Sequence, residues 1–431
     1  MTTPQVPSAS AGLDAWLSYL EQLHPSAIDM GLARVQTVAE RLQLTQTDAH
    51  VFMVAGTNGK GSTVRYLETI LNCADYRTGV YVSPHLHQYT ERVRIQGQQL
   101  SEAEHVAAFA AIEAARGDIS LTYFEFGTLA ALWLMQQRAL DAWILEVGLG
   151  GRLDAVNIVD ADVALVTSID IDHVGFLGSD RTGIAHEKAG IFRPQRLAVV
   201  GEPDFPAAVT SAAVARGVIL RRVGHDFFYR VTGQTTWEYR DGNNYLQDLP
   251  LPQLPLPNAA TAVAALAGCR LPIPSQAIRA GLTQAREAGR LEWRPGDGVT
   301  TMDTLLDVAH NPHAAHYLVQ ALQARYPKHR VLAVVGMLED KDIAGTLQAL
   351  APAVDAWYFA HLTVPRGTTA ETLAQYAPAA VNGKPILRGC FTSVAAAFAQ
   401  AQQDALVMAE QPVLVLVCGS FYTVGQIPNL E

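Results

Sequence analysis

The chain is short of several things, and each shortage excludes a class of protein. Its four cysteines, Cys73, Cys269, Cys390 and Cys418, lie far apart with no C-x-x-C pair. That argues against a disulfide framework or a cysteine zinc site and fits free thiols in a reducing cytoplasm. There is no long Lys/Arg run, and the formal net charge is −10. Neither a nucleic acid nor a membrane surface is therefore the expected partner. No stretch approaches the ~20 apolar residues of a membrane span. The opening segment, "MTTPQVPSASAGLDAWL", has no basic stretch followed by an apolar run and does not read as a secretory signal. No N-K-x-D motif is present to read guanine, and there is no internal repeat or low-complexity segment.

What is present is apolar and long. The 431 residues are 49% hydrophobic and 17% charged, enough for a sizeable core and too many for one compact domain. A short helix ("GLDAWLSYLEQL") and a loop ("HPSAIDMGLARV") come first. From His50, buried strands ("HVFMVA", "RTGVYVS", "DAWILEVG", "ADVALVTS") alternate with segments of helical periodicity. Such alternation predicts a parallel sheet covered on both faces. Residues 218–256 turn to short alternating segments and prolines, read as an excursion from that sheet. A helix pair follows, then "GRLEWRPGDG", which reads as a connector. Strands then resume with "DTLLDVA", "VLAVVG", "AWYFA" and "PVLVLVCG". The expected fold is α/β: a P-loop-type, mostly parallel sheet domain over residues 1–289, a linker over 290–300, and a smaller Rossmann-like α/β domain over 301–431.

Between the first strand and its helix stands "VAGTNGKGST", residues 54–63. It fails the common phosphate-loop spacing G-x-x-x-x-G-K-[ST]. Five residues on from Gly56 is Gly61, followed by Ser62 rather than Lys; five back from Gly59 is Val54. Strand, glycine turn and helix are nonetheless the setting in which backbone N–H groups converge on phosphate oxygens. Lys60 would add a charge near the terminal phosphates, and Ser62 or Thr63 a hydroxyl toward Mg²⁺. The plain alternative is a glycine-rich turn with no ligand.

Other candidates sit at strand ends, where open α/β sheets bind ligands. Glu146 closes "AWILE" and suits Mg²⁺, or else pairs with Arg152. His173 follows Asp170 and Asp172 in "SIDIDHVG"; a lone His is more often structural than a ligand. Lys188 in "HEKAGI" reads by composition as a solvated helix lysine, and Ser83 before Pro84 as turn chemistry.

Taken together these stretches resemble the bacterial bifunctional dihydrofolate synthase/folylpolyglutamate synthases of the Mur ligase superfamily. The resemblance runs nearly end to end, through "HPSAIDMGLARV", "VAGTNGKGST", "YVSPHLHQYTERVRIQG", "TYFEFGTLAAL", "EVGLGGRLDAVNIV", "EKAGIFRP", "LPNAATA", "GRLEW", "LLDVAHNPHAA" and "LVCGSFY". It implies an ATP-dependent ligase that joins L-glutamate to dihydropteroate and to reduced folates through an acyl phosphate. By motif, Thr57, Asn58, Gly59, Lys60, Gly61 and Ser62 would wrap the ATP phosphates, with Asn258, Arg290 and Asp307 on the nucleotide. Ser83, Glu146 and His173 would bind Mg²⁺. Lys188 would be a carbamate, and Lys60, His173 and Lys188 the catalytic set. The pterin would lie among Asp29, Met30, Gly31, Leu32, Thr122, Tyr123, Phe124, Leu153, Asp154 and Ala155. His310 and Ser420 would meet the incoming glutamate.

The implied partners are these small molecules and ATP, with a monomeric, cytoplasmic enzyme closing its two domains over the acyl phosphate. Small departures are Met30, where Leu is commoner in the family, Val308 for Gly and Ala288 for Pro. Two rivals stay open at this point: a ligase for UDP-linked cell-wall precursors, and a non-catalytic P-loop nucleotide switch.

Overall fold

The computed structural model describes residues 5–8, 10–378, 386–408 and 411–428. Residues 1–4 and 9, part of the stretch read for a signal, lie outside them. Two compact units divide the chain, Met1–Ala285 and Arg286–Glu431.

In the first unit eight strands form one sheet: β1 (His50–Ala55), β2 (Thr78–Tyr81), β3 (Val93–Ile95), β4 (Gln98–Gln99), β5 (Ala142–Glu146), β6 (Val163–Val166), β7 (Leu197–Val200) and β8 (Ile219–Arg222). Their order is β4-β3-β2-β5-β1-β6-β7-β8. From β2 to β8 the neighbours run parallel, and β3 and β4 add an antiparallel edge. Side chains alternate across the sheet, so Val51, Met53 and Ala55 of β1 join one core and Phe52 and Val54 the other. Helices Leu13–Leu23, Ala33–Arg41, Glu102–Arg116 and Tyr123–Gln136 cover the first face; Lys60–Cys73, Leu256–Gly268 and Ser275–Gln284 cover the second. Near-continuous apolar strands are what burial on both faces requires.

Two local readings change. "HPSAIDMGLARV" is not a loop throughout: a helix begins at Ala33, because Val35, Val38 and Ala39 are spaced to bury one face. The excursion after β8 is a separate antiparallel sheet of β9 (Phe227–Val231), β10 (Thr236–Asp241) and β11 (Tyr245–Pro250), which buries Trp237 and Tyr239.

The second unit is a six-stranded sheet of β12 (Glu292–Arg294), β13 (Thr304–Asp307), β14 (Arg330–Val335), β15 (Ala356–Ala360), β16 (Ile386–Phe391) and β17 (Val413–Cys418), ordered β12-β13-β17-β14-β15-β16. All pairs are parallel except β12 with β13. Four of these strands were legible as apolar runs; β12, a polar edge strand, and β16, an edge strand whose residues 387–391 stay at least partly exposed, were not. β12 also changes the reading of residues 290–300 as a linker. Arg286 onward belongs with the second unit, and Glu292–Arg294 pairs with Thr304–Leu306. Among the described residues no helix is long and apolar enough to cross a membrane.

Candidate active site

The glycine-rich turn runs from the end of β1 into helix Lys60–Cys73, and its shape depends on two glycines. Gly56 has φ of +152°, and a Cβ there would sit 1.9 Å from Thr167 Oγ1. Gly59 has φ of +87°, and a Cβ there would meet Asn258 Oδ1 at 2.5 Å. Only glycine allows both the backbone angle at Gly59 and the close approach. The end of β6 fastens the turn. Thr57 N donates to Ser168 O at 2.9 Å, Asn58 N to Ser168 Oγ at 3.0 Å, and Thr167 Oγ1 to Asn58 O at 2.6 Å. The Thr57 hydroxyl bridges to the backbone of Asp170. Lys60 folds its ammonium back over the turn, donating to Gly56 O at 3.0 Å. The sequence-predicted residues 57–62 and Asn258 are thus brought together, and Ser62 is buried.

Glu146 ends β5 beside this turn, its Cα paired with Val54. The carboxylate is buried; its Oε2 accepts from Ser83 N at 3.4 Å and lies 4.0 Å from a Cβ placed on Gly61. It does not pair with Arg152, which instead bonds Glu187 at 2.8 Å. His173 stands in a left-handed conformation (φ +51°) ahead of a short exposed helical turn, with its backbone N–H on Asp172. Among the described residues no three His, Cys, Asp or Glu side chains cluster tightly enough to form a metal site by themselves. Mg²⁺ does not need one, since it favours one or two hard oxygen ligands completed by water and phosphate. A buried carboxylate and a serine beside the glycine turn fit that preference.

Lys188 is buried rather than solvated, on helix Arg181–Ala189. Gly151 and Gly190 are the reason, because a Cβ on Gly151 would meet Glu187 O at 2.8 Å and one on Gly190 would meet Arg152 Cβ at 2.4 Å. This close packing sinks the helix against the "GLGGRLD" loop. Burial, then the like charge of Lys60, holds the Lys188 amine down to about 7; Asp172 and Asp154 oppose this. Asp154 is also buried, and burial raises its carboxyl to about 6. The N–H groups of Leu149 and Val156 bind it at 2.8 and 3.0 Å, and Lys60 lies close enough to pull the same way. Lys60, Asp154 and Lys188 are therefore electrostatic neighbours drawn from three segments.

The residues read as a pterin site also converge. A Cβ on Gly148 would strike the Phe124 ring at 2.5 Å, and one on Gly150 would meet Leu177 at 3.1 Å and Met30 at 3.5 Å. Thr122 caps helix Tyr123–Gln136 reciprocally with Glu125. Asp29 accepts from Arg34 at 2.8 Å and lies 3.2 Å from His24, while Arg34 also reaches Glu125 at 3.1 Å. Arg34 thus ties the Asp29 loop to the Thr122 helix start, a role that no spacing in the sequence indicated.

In the second unit Asp307 and Ser420 stand at or just after the carboxyl ends of the paired strands β13 and β17. Asp307 is buried, which raises its pKa, and Arg290 opposes the shift. Its two oxygens accept from Leu291 N and Ala309 N, both at 2.9 Å. The carboxylate thereby shapes the two loops. Arg290 stacks its guanidinium 5.3 Å from the Phe421 ring centre. His310 Nδ1 donates to Val308 O at 2.9 Å, which places the hydrogen on Nδ1. Ser420 Oγ accepts from Thr423 N at 3.0 Å. A cleft of about 730 Å³ on β9–β11 is lined by Arg230, Glu238, Arg240 and Tyr245 and includes no candidate residue.

Comparison with known proteins now bears on these residues. Residues 54–216 match the Mur ligase middle domain and residues 289–421 the Mur ligase glutamate ligase domain. The dihydrofolate synthase/folylpolyglutamate synthase of Escherichia coli (strain K12) is 53% identical over 427 residues, 99% of this chain and 97% of that one. The chain belongs to the dihydrofolate synthase/folylpolyglutamate synthase family. Its Haemophilus influenzae relative is 42% identical, covering 97% of each chain. Among solved structures, E. coli FolC in complex with DHPP and ADP superposes with a TM-score of 0.89 at 53% identity, covering 97% of each chain. A Yersinia pestis bifunctional enzyme complexed with AMPPNP and Mn ion gives 0.89 at 52% identity, covering 98% of each. The Mur ligase fold is thereby shown, and neither the cell-wall ligase nor the switch protein is favoured.

Sequence reasoning passed over Thr167, Ser168 and Arg34. Each acts through contacts distant in the chain. The signal available for the first two was their position directly after an apolar strand.

Proposed function

We propose that this chain is an ATP-dependent amide ligase that adds L-glutamate to dihydropteroate, giving dihydrofolate, and to reduced folates, giving folylpolyglutamates. The observation that carries the residue assignment is the gathering of Lys60, Asp154 and Lys188 around the glycine turn beside buried Glu146. Relatives matching end to end bear the name of this activity, and solved relatives are described with ADP, DHPP, AMPPNP, Mn and L-glutamate.

The pteroate carboxylate oxygen attacks the γ-phosphorus of ATP, and ADP leaves. The glutamate α-amine then attacks the carbonyl of the acyl phosphate, phosphate leaves, and the nitrogen gives up a proton. Little covalent help is needed from the protein, so positioning and charge dominate. In this reading the N–H groups of residues 57–62 hold the phosphates. Lys60 leaves its carbonyl partners to neutralise them. Asn258, Arg290 and Asp307 serve the nucleotide. Ser83, Glu146 and His173 would hold Mg²⁺, which when bound neutralises phosphate charge. The pterin lies against Met30, Phe124 and Asp154, and His310 and Ser420 meet glutamate.

Lys188 is the lysine we assign as a carbamate. An amine brought down to about 7 is substantially neutral at physiological pH, and only the neutral amine adds CO₂. We place the enzyme in the cytoplasm, which four free thiols suit, and as a monomer.

The test is ADP release with ATP, Mg²⁺ and L-glutamate, with dihydropteroate in one reaction and tetrahydrofolate in the other, product masses being read. Both turn over. Release with the folate alone would remove the dihydrofolate synthase half and the role given to residues 29–32. Activity unaffected by stripping CO₂ and bicarbonate would remove the carbamate.

A further inference from the structure

Arg92 lies in the stretch "SPHLHQYTERVRIQG" and is buried, with 8% of its surface exposed. Its Nε donates to His85 Nδ1 at 2.9 Å. A nitrogen lone pair accepts that bond and brings no negative charge. The guanidinium carbon lies 5.2 Å from the centre of the Tyr89 ring and 5.4 Å from that of Tyr123. Among the described residues no carboxylate pairs with Arg92, and its two terminal nitrogens have no hydrogen-bond partner. The contrast with Arg94 is direct, since that buried guanidinium makes three hydrogen bonds to Glu68. Glu91, the acid next in sequence, is spent on the backbone N–H groups of Leu86, His87 and Gln88.

A buried guanidinium without a counter-charge is costly, and two aromatic faces offset only part of that cost. The place it occupies is also telling. Arg92 O accepts from Val82 N at 2.9 Å, so the residue is stitched beside Ser83, while Tyr123 on its other side begins the proposed pterin helix. The two terminal nitrogens of a guanidinium form a planar fork that matches a carboxylate.

We infer that Arg92 is a substrate-anchoring residue whose free guanidinium fork binds a carboxylate of the pteroate or folate substrate, held between the pterin and the phosphates. This rests on the folate reading above. The carboxylate is either the aryl carboxylate of dihydropteroate or a glutamyl carboxylate of a folate. Tyr89 and Tyr123 flank the guanidinium, and His85 takes Nε, so the outer two nitrogens are the ones left to the ligand.

The experiment measures binding of four ligands by calorimetry to the full chain: dihydropteroate, its carboxamide, tetrahydrofolate and its glutamyl diamide. Wild-type protein is expected to favour the acid over the amide by about 10- to 100-fold, as for a charge-assisted bond. Arg92→Gln should erase that preference while binding the amides as before. Loss within the dihydropteroate pair assigns the aryl carboxylate; loss only within the tetrahydrofolate pair assigns a glutamyl one. Arg92→Lys keeps the charge without the fork and should retain part of the preference, which also carries the test if the Gln variant does not fold. An unchanged preference in the variants, or equal weakening of acid and amide, would overturn the site alone. Wild-type protein that bound none of the four would overturn the folate reading and this site with it.

Discussion

Gly59 offers a sharp test of how the phosphate turn is built, because two separate penalties meet there. The first is the backbone. At φ of +87° an alanine pays for a left-handed conformation, about 1–2 kcal/mol. The second is the neighbour. A Cβ would lie 2.5 Å from Asn258 Oδ1, where ordinary van der Waals contact begins at 3.4 Å, so the amide must retreat by about 0.9 Å. Asn258 is buried on helix Leu256–Gly268, so that retreat disturbs close packing, at roughly 1–3 kcal/mol. Gly59→Ala should therefore destabilise the first unit by about 2–5 kcal/mol and weaken ATP binding about 10- to 100-fold. A double-mutant cycle separates the two terms. In an Asn258→Ala background the steric part is gone, and Gly59→Ala should then cost only its backbone share. Urea denaturation of the four proteins gives a coupling of about 1–3 kcal/mol if this is right. Additivity within about 0.5 kcal/mol would show that Gly59 and Asn258 do not press on each other and would refute the reasoning.

Three other consequences can be measured. Gly148→Ala pushes on the Phe124 ring at 2.5 Å, so the KM for dihydropteroate should rise about tenfold with the KM for ATP unchanged; a parallel rise in both would place the effect elsewhere. Lys188 is held at about 7 against a usual 10.5. The unfolded chain therefore binds more protons between those values, and the stability of the unmodified protein should rise with pH across that window. Lys188→Met flattens the rise, and equal slopes from pH 7 to 10 in denaturation curves would contradict the buried, depressed amine. Asp307→Ala leaves the N–H groups of Leu291 and Ala309 without their acceptor, at about 1–3 kcal/mol each. Hydrogen exchange at these two positions should speed up markedly while β1 and β5 keep their protection.

Much of the fold was legible because the physics involved is local. Buried parallel strands demand continuous apolar runs, so β1, β5, β6, β14, β15 and β17 announced themselves. The reciprocal cap of Thr122 with Glu125 is local chemistry of the same kind, yet that helix start was not read from the sequence. Edge strands escaped for the same reason. β12, inside the expected linker, and β16, interrupted by Gly389, bury less and so need no apolar run.

For the site, the sequence by itself determined which chemical groups were available and that they fall near strand ends: the glycine turn with Lys60, the carboxylate of Glu146, and the motif-bearing loops. Their charge states and partners were decided only by tertiary packing. Lys188 looked like a solvated helix lysine until Gly151 and Gly190 let the loop and helix close on it, and desolvation then brought its amine to about 7. Arg152 turned to Glu187 and left Glu146 beside the glycine turn. Arg92 and Arg94 are two residues apart and alike in type, yet one meets Glu68 and the other meets two rings and an imidazole. A side chain's identity is written in the chain, but its solvation and its counter-charge depend on residues such as Glu68 for Arg94 and Glu187 for Arg152, tens of positions away, and only the folded structure brings those together.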